Sequence, residues 1–146
     1  MKIKKTIKKL KQLKSMVKMI PAKNIDLSMY VTHFNPDSQE DCVMCLVGWI
    51  TQFPFLDPEE KLWIGYEDGK ENEADIHYEG EDNTYTDLPG VLSEMFGLTE
   101  SWTDEIFFNR DYEEDVLTHK AHILEVIDNA IEDYKYERAR KDAWPF

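Results

Sequence analysis

Apolar residues recur every three or four positions over the first twenty residues, which is the spacing of one face of an α-helix. Lysines occupy most of the other positions, and no acid occurs before residue 24. We favour a helix that packs its apolar stripe into the core over an arm that binds a membrane surface or nucleic acid, because the stripe has no Trp or Phe to anchor it in lipid. The stripe consists of Ile3, Ile7, Leu10, Leu13, Val17 and Ile20.

The longest uninterrupted apolar run, residues 42–50, predicts the element around which the rest of the chain packs. Its length alone does not separate a helix from a strand, but its flanks favour a helix. Asp37 or Ser38 offers an N-cap before the run, and Pro54 stops a helix after it. Within the run, Gly48 would allow a neighbouring backbone to approach closely.

The middle of the chain predicts extended structure. Residues 24–32 alternate apolar and polar side chains, as a short strand or extended segment does. Residues 57–60 read Asp-Pro-Glu-Glu, which is typical of the start of a short helix. Residues 62–66 and 75–78 are rich in apolar and aromatic side chains and bracket an Asp-Gly pair, which predicts a β-hairpin with a long acidic connection.

Helices are predicted for most of the chain after residue 87. A short helix over residues 88–97 ends at Gly97, and a second begins at the Thr99 cap and continues to Phe108, so the two form a helical hairpin. A long helix follows over residues 116–141, with basic residues in its last turns. The elements together predict an α+β fold: a mostly helical single domain over residues 1–146 with a short β-hairpin and a long C-terminal helix.

The charge of the chain is distributed unevenly. Residues 1–23 carry nine lysines and no acid, so the other eight basic residues face all thirty acids and residues 24–146 have a net charge of −22. Residues 57–87, an acidic hairpin and loop insertion, hold twelve acids against two lysines. Such a surface repels nucleic acid and anionic membranes and attracts basic partners.

The sequence also indicates where the protein acts. No apolar run reaches the ~18–20 residues of a membrane span, and the lysine-rich start lacks the apolar region of a signal peptide. We therefore expect a cytoplasmic protein. Its two cysteines are three residues apart inside the predicted core helix, where they could not close a relaxed disulfide, so reduced thiols are expected.

Two pairs of metal-ligating residues have a spacing compatible with zinc. Cys42 and Cys45, together with His119 and His122, form a possible Cys₂His₂ set if each pair lies on one helical face. The apolar neighbours Val43 and Met44 instead favour cysteines that act as small core residues. We therefore expect no metal or other cofactor.

Catalytic motifs do not occur in the sequence. It has no Gly-x-Ser-x-Gly, no phosphate-binding glycine loop and no His-Glu-x-x-His. His33 and His77 each lie beside aromatic residues and are interpreted as structural. Adjacent carboxylates are frequent in a chain with thirty acids and usually form a solvated surface. The sequence favours a protein that is not an enzyme.

Several short motifs occur in a definite order. After the first helix come Pro21 and the triplet Ile25-Asp26-Leu27, then Cys45-Leu46-Val47-Gly48-Trp49, and finally Gly97-Leu98-Thr99 leading to Ile106-Phe107-Phe108. This order resembles a family of small, functionally uncharacterised proteins found in phages and bacteria. The resemblance covers about 60% of the chain, and the family's frequent second cysteine is replaced here by Glu40. It implies a phage origin and no activity.

The charge distribution predicts a small acidic accessory protein that binds and inhibits a basic, nucleic-acid-binding host protein, as a nucleic-acid mimic or anti-defence factor, and that does not itself bind nucleic acid. The alternatives are an assembly subunit that binds through the first helix and the apolar tail, by Trp144 and Phe146, or a small zinc-binding module. The predicted acidic surface comprises Glu67, Asp68, Glu71, Glu73, Asp75, Glu79, Glu81, Asp82, Asp104, Glu105, Asp111, Glu113, Glu114 and Asp115.

Overall fold

The computed structural model describes residues 2–66, 74–78 and 87–143, with side chains as far as residue 141. The fold is α+β and mostly helical, with two small antiparallel strand pairs and a long C-terminal helix, as the sequence predicted. In chain order the elements are α1 (Ile3–Met19), β1 (Val31–His33), β2 (Val43–Met44), α2 (Leu46–Ile50), β3 (Leu62–Tyr66), β4 (Ala74–Tyr78), α3 (Leu88–Phe96), α4 (Glu100–Thr103) and α5 (His119–Ala143).

The first and last helices pack against each other along the centre of the fold. Lys14 pairs with Asp128 at 2.6 Å, whereas Lys120 near the start of α5 donates to the carbonyl oxygens of Lys18 and Ile20 at the end of α1. The two helices are therefore antiparallel. The apolar stripe of α1 is buried in the core from Ile7 onward. This arrangement agrees with the interpretation of the first helix as a core element.

The apolar run around Cys45 is only partly helical. Residues 43 and 44 form β2, which pairs with β1 through Val31 and Met44, and α2 begins after the Cys45 cap. The prediction of one helix over residues 42–50 was therefore wrong for its first third, and residues 39–41 before it form a 3₁₀ turn. Both the strand part and the helical part of the run are largely buried. Its apolar character therefore did not distinguish a strand from a helix.

Gly48 lies at the closest contact of this core. A Cβ atom placed on it would lie 2.7 Å from the Met44 Cβ and 2.9 Å from the Tyr30 carbonyl oxygen. The Trp49 indole beside it is buried and donates its Nε1–H to the Asn24 carbonyl oxygen at 2.8 Å. The predicted backbone approach at Gly48 is therefore present, with the segment that carries Tyr30 as the neighbour.

The hairpin prediction is confirmed, and the helix predicted just before it is not present. β3 and β4 are antiparallel, with Leu62 opposite Tyr78 and Tyr66 opposite Ala74. Residues 57–60 form turns instead of a helix. The buried Asp57 carboxylate accepts from the N–H groups of Lys61 and Leu62, so it caps the turn and holds the start of β3.

The helices after residue 87 begin and end where their capping residues predict. The Asp87 side chain caps α3, Gly97 ends it with a φ of 66°, and the Thr99 hydroxyl caps α4. Residues Asp104–Phe108 continue α4 as a π-helical turn. A 3₁₀ turn over Val116–Thr118, capped by the Asp115 side chain, leads into α5.

Candidate functional site

The six predicted acids between residues 104 and 115 lie on the π-helical turn and the loop after it, and we call them the 104–115 acidic surface. All six are exposed, and none of the six makes an ion pair with a residue that the structure describes. Their charges are thus directed to solvent and remain uncompensated by neighbouring side chains. The six residues are Asp104, Glu105, Asp111, Glu113, Glu114 and Asp115.

Local hydrogen bonds hold the backbone of this surface. The Asn109 side chain donates to the Glu105 carboxylate at 3.0 Å and accepts from the Asp111 N–H at 2.9 Å. The Glu113 carbonyl oxygen contacts Nε2 of the buried His119 at 2.6 Å. Both ends of the loop between the π-helical turn and α5 are therefore attached to ordered elements.

The other predicted binding residues have different outcomes. Asp75 is exposed on β4 opposite Gly65. The tail residues Trp144 and Phe146 lie outside the described residues. The remaining predicted acids also lie outside them, namely Glu67, Asp68, Glu71, Glu73, Glu79, Glu81 and Asp82.

A cleft of about 770 Å³ lies beside the 104–115 acidic surface. Three segments form most of its walls: residues 27–34, the end of the β3–β4 pair at Tyr66, Ala74 and Asp75, and residues 106–110 of the π-helical turn and the loop after it. The cleft is rich in aromatic side chains, and we call it the aromatic cleft. Met29, Tyr66 and Tyr30 on its walls are 59%, 47% and 37% exposed, which is unusual for large apolar side chains that share one depression.

The polar groups of the aromatic cleft include a carboxylate, a guanidinium, an imidazole and a tyrosine hydroxyl. Asp75, Arg110, His33 and Tyr30 all line it. Burial raises the pKa of the Tyr30 hydroxyl; the nearby Cys45 thiol and Asp75 carboxylate raise it further, while Arg110 lowers it. The Tyr30 hydroxyl therefore remains protonated at neutral pH and can donate a hydrogen bond.

Cys45 also lines the aromatic cleft, but its chemistry is that of a core residue. It is 5% exposed, and burial raises the pKa of its thiol to about 11, although backbone N–H groups at the start of α2 oppose the rise. The thiolate is the reactive form of cysteine, so at neutral pH this side chain is a poor nucleophile.

Asp26, the central residue of the Ile25-Asp26-Leu27 motif, holds one wall of the cleft. Its Oδ1 accepts from the N–H and the hydroxyl of Ser28, and its Oδ2 from the Thr32 hydroxyl. Burial raises the pKa of the Asp26 carboxyl group, but the hydrogen bonds from Ser28 and Thr32 outweigh burial and leave the pKa below its ordinary value of 3.8. The carboxylate therefore orders the segment that carries Met29 and Tyr30.

His119 is a structural residue beneath this wall. Its Nδ1 accepts from the Leu27 N–H at 3.1 Å, so the proton lies on Nε2, which donates to the Glu113 carbonyl oxygen. The edge of the Tyr112 ring packs against the imidazole, with 4.7 Å between ring centroids. Both ring nitrogens are thus engaged, and one histidine connects the cleft wall to the 104–115 acidic surface.

The four residues of the possible zinc set do not share the geometry that the sequence suggested. Cys42 precedes β2 and Cys45 caps α2, so the two are not on one helical face. The Cys42 thiol lies 3.4 Å from the Asn35 carbonyl oxygen, and both nitrogens of His119 have backbone partners, while His122 lies one turn further along α5. Among the residues that the structure describes, no group of three or more His, Cys, Asp or Glu could hold a metal ion.

The remaining two histidines differ in their surroundings. His77 stacks on Trp63 with 6.0 Å between ring centroids and covers Gly65. Its Nε2 is buried and has no hydrogen-bond partner in the described part of the chain. His33 is exposed and lines the aromatic cleft.

The first helix presents mostly lysines to solvent, with Met19 as an exposed apolar residue at its last position. Lys9 lies 6.0 Å from the centre of the Phe96 ring, and Lys14 pairs with Asp128. None of the described helices is long and apolar enough to cross a membrane. The solvent-facing row, which we call the α1 lysine face, comprises Lys4, Lys8, Lys11 and Lys18, and all four are exposed.

Sequence reasoning identified the acids but missed the aromatic cleft. Its lining residues come from positions far apart in the chain, and the Phe107-Phe108 pair was assigned only to a helical hairpin. The available signal was the polar context of three large side chains: Met29 and Tyr30 follow Ser28, and Tyr66 precedes an acidic connection. Comparison with protein-family models, with curated proteins and with solved structures returns no match for the chain.

Proposed function

We propose that the protein is a small, acidic, non-catalytic binding protein that occupies and inhibits a basic, nucleic-acid-binding surface of a host protein. The observation that carries the proposal is the 104–115 acidic surface. Its six carboxylates are exposed, they have no ion-pair partner among the described residues, and they lie on a backbone held at both ends. They are therefore available to lysine and arginine side chains that otherwise contact phosphates.

Electrostatics favours the encounter with such a partner. Residues 24–146 carry a net charge of −22, which attracts a basic surface over distances greater than those of direct contact. At physiological salt the attraction is screened beyond about 8 Å, so close contacts between carboxylates and basic side chains must hold the complex. Binding to a nucleic-acid channel would then exclude the nucleic acid by charge and by volume.

Two properties of the described residues support a role without catalysis. The Cys45 thiol in the cleft is protonated at neutral pH, and the buried His119 uses both ring nitrogens in backbone contacts. Neither side chain is available as a nucleophile or a base. The resemblance to phage proteins implies a phage origin, and the host cytoplasm is the compartment where such a partner would be met.

A second candidate function is that of an assembly subunit. The α1 lysine face favours it, because its four lysines are exposed and unpaired among the described residues while the apolar stripe beneath them is buried. A partner on α1 would therefore be acidic and held mainly by charge. The apolar tail at residues 143–146 would supply the contacts that resist salt.

Capture from host lysate at increasing salt tests the proposed function. The tagged wild-type protein should retain a nucleic-acid-binding protein that is released steeply between about 0.05 and 0.2 M salt and is displaced by added DNA or RNA. A variant of the 104–115 acidic surface should lose this partner, because four exposed contacts of about 0.2–1 kcal/mol each are removed. Its substitutions are Asp104→Asn, Asp111→Asn, Glu113→Gln and Glu114→Gln.

A matched control variant separates the effect of losing charge at the 104–115 acidic surface from the effect of changing the total charge. It removes the same number of charges from α3, α4 and α5 and should retain the partner. A partner that is held at high salt but lost on deletion of residues 143–146 would reject the inhibitor proposal in favour of the assembly subunit. The control substitutions are Glu94→Gln, Glu100→Gln, Glu125→Gln and Glu132→Gln.

A further inference from the structure

We propose that the aromatic cleft receives an arginine side chain of the basic partner and so forms the centre of the binding surface, with the acids as its rim. This inference rests on the proposed function and names the group that the partner inserts. Protein interfaces commonly place aromatic anchors in a desolvated centre and polar residues around it, and most of the binding energy comes from the centre.

The cleft and the 104–115 acidic surface form one composite surface. Residues 106–110 line the cleft, and Asp104 and Glu105 precede them directly while Asp111 follows them directly. Asp75 lines the cleft from the opposite wall. A basic segment attracted by the rim would therefore meet the aromatic cleft within one residue of the carboxylates.

The lining of the cleft suits a guanidinium group better than an ammonium or an aliphatic group. Tyr30 and Tyr66 are partly exposed, so their ring faces can stack on a planar cation. The Asp75 Oδ1 already accepts a hydrogen bond from the Ile76 N–H at 2.8 Å, and the carboxylate retains lone pairs that can accept N–H groups from a guanidinium. An arginine side chain is also long enough for its aliphatic part to contact Met29 while its charged end reaches the polar groups.

Arg110 of the protein itself gives the proposal a sharp test. It lines the same cleft, and its charge opposes the entry of a second cation. Removal of this charge should therefore strengthen binding of an arginine side chain. If the cleft instead received an anion, the same substitution would weaken binding.

The experiment uses two capped peptides of equal length and equal net charge, which differ only in a central arginine or lysine within a glycine and lysine background. Each is titrated into the isotopically labelled full-length protein at low salt, and backbone amide shifts are recorded. The arginine peptide should bind about two- to fivefold more tightly than the lysine peptide, as expected for a cation on partly exposed aromatic rings. The shift changes should include Tyr30, Tyr66 and Asp75.

Point variants then test the individual contacts. Tyr30→Leu and Asp75→Asn should each lower the affinity for the arginine peptide by about two- to fivefold. Tyr30→Phe keeps the ring and should bind the peptide nearly as the wild type does. Arg110→Gln should raise the affinity for the arginine peptide. Tyr136→Leu, which removes a tyrosine on α5 that is 71% exposed, should have no effect. Thermal melts establish that each variant is folded.

The outcomes separate this inference from the proposed function. Equal affinity for the two peptides, together with unchanged binding by Tyr30→Leu, would overturn the arginine site. A salt-sensitive host partner that Tyr30→Leu still retains would also overturn it and would leave the proposed function intact. Selective binding of the arginine peptide by the cleft, together with lysate capture that yields no nucleic-acid-binding partner, would support the arginine site and reject the proposed function.

Discussion

Two buried residues hold in place the wall of the aromatic cleft that carries Tyr30. Asp26 keeps the segment from Ser28 to Thr32 in place by accepting three hydrogen bonds, and Gly48 allows that segment to lie against α2 because it has no side chain. Both residues belong to the short sequence motifs described above, Asp26 to the first and Gly48 to the second. Their role is therefore to position the aromatic side chains that a partner would meet, and both roles can be tested by stability measurements.

The difference in stability between the wild type and the Asp26→Asn variant should depend on pH. The pKa of Asp26 is lowered by folding, so the carboxylate stabilises the fold above its ordinary pKa of 3.8, and this stabilisation is lost as pH falls through the lower value of the folded state. The variant should be less stable than the wild type by about 1–3 kcal/mol at neutral pH. Urea denaturation from pH 7 to pH 2 should show this difference shrinking, and a difference that grows on acidification would contradict the assignment.

Gly48→Ala tests the close approach of the cleft wall to α2. An alanine normally favours a helix over glycine by up to about 1 kcal/mol, so a loss of stability would have to come from the clash with Met44 and the Tyr30 carbonyl oxygen. We expect a loss of about 1–3 kcal/mol, and a larger loss for Gly48→Leu.

Gly65→Ala is the comparison for that measurement. Its new Cβ would meet only the His77 ring, at 2.8 Å from Cδ2, and a side chain can move where a carbonyl group cannot. The expected loss in thermal melts is smaller than for Gly48→Ala. A wild-type melting temperature in both Gly48 variants would show that the contact is not as close as described.

At the level of elements, periodic segments and capped ends could be predicted and the short apolar segments could not. The stripe of α1, the Gly97 and Thr99 caps and the long α5 are local properties of the sequence, and they appear where predicted. The strand at residues 43 and 44 depends on pairing with Val31, which is distant in sequence. The Asp57 carboxylate could accept hydrogen bonds from the N–H groups of a first helical turn or from those at the start of β3. The sequence is compatible with both, and the structure shows the second, which makes residues 57–60 a turn.

Leu13→Ala tests the role of α1 as a core element. Leu13 is fully buried, and its truncation should cost about 2–5 kcal/mol because it removes apolar contacts and leaves a cavity. Lys11→Ala, two residues away on the α1 lysine face, should change the free energy of unfolding by no more than about 0.5 kcal/mol. Both values come from urea denaturation. If the two variants were equally stable, the first helix would be an arm and not part of the core.

For the molecule as a whole, the sequence predicted the sign and the region of the charge but not the cleft. Charge is a sum over residues and can be read without a fold, which is why Asp104 to Asp115 could be named in advance. The aromatic cleft needs three segments to converge, and none of the three has a strong pattern of its own. His119 joins two of them through backbone contacts that no sequence spacing indicates.

The packing of the first helix against the last also affects when the chain can fold during its synthesis. Lys120 contacts the carbonyl oxygens of Lys18 and Ile20 across 102 and 100 positions of the chain. A ribosome adding about 5–20 residues per second needs roughly 5–20 s to make that separation, and during this interval the apolar stripe of α1 lacks the helix α5 against which it packs. Folding is therefore completed only after translation of α5, and the lysines around the stripe stand where gatekeeper residues commonly flank an apolar segment.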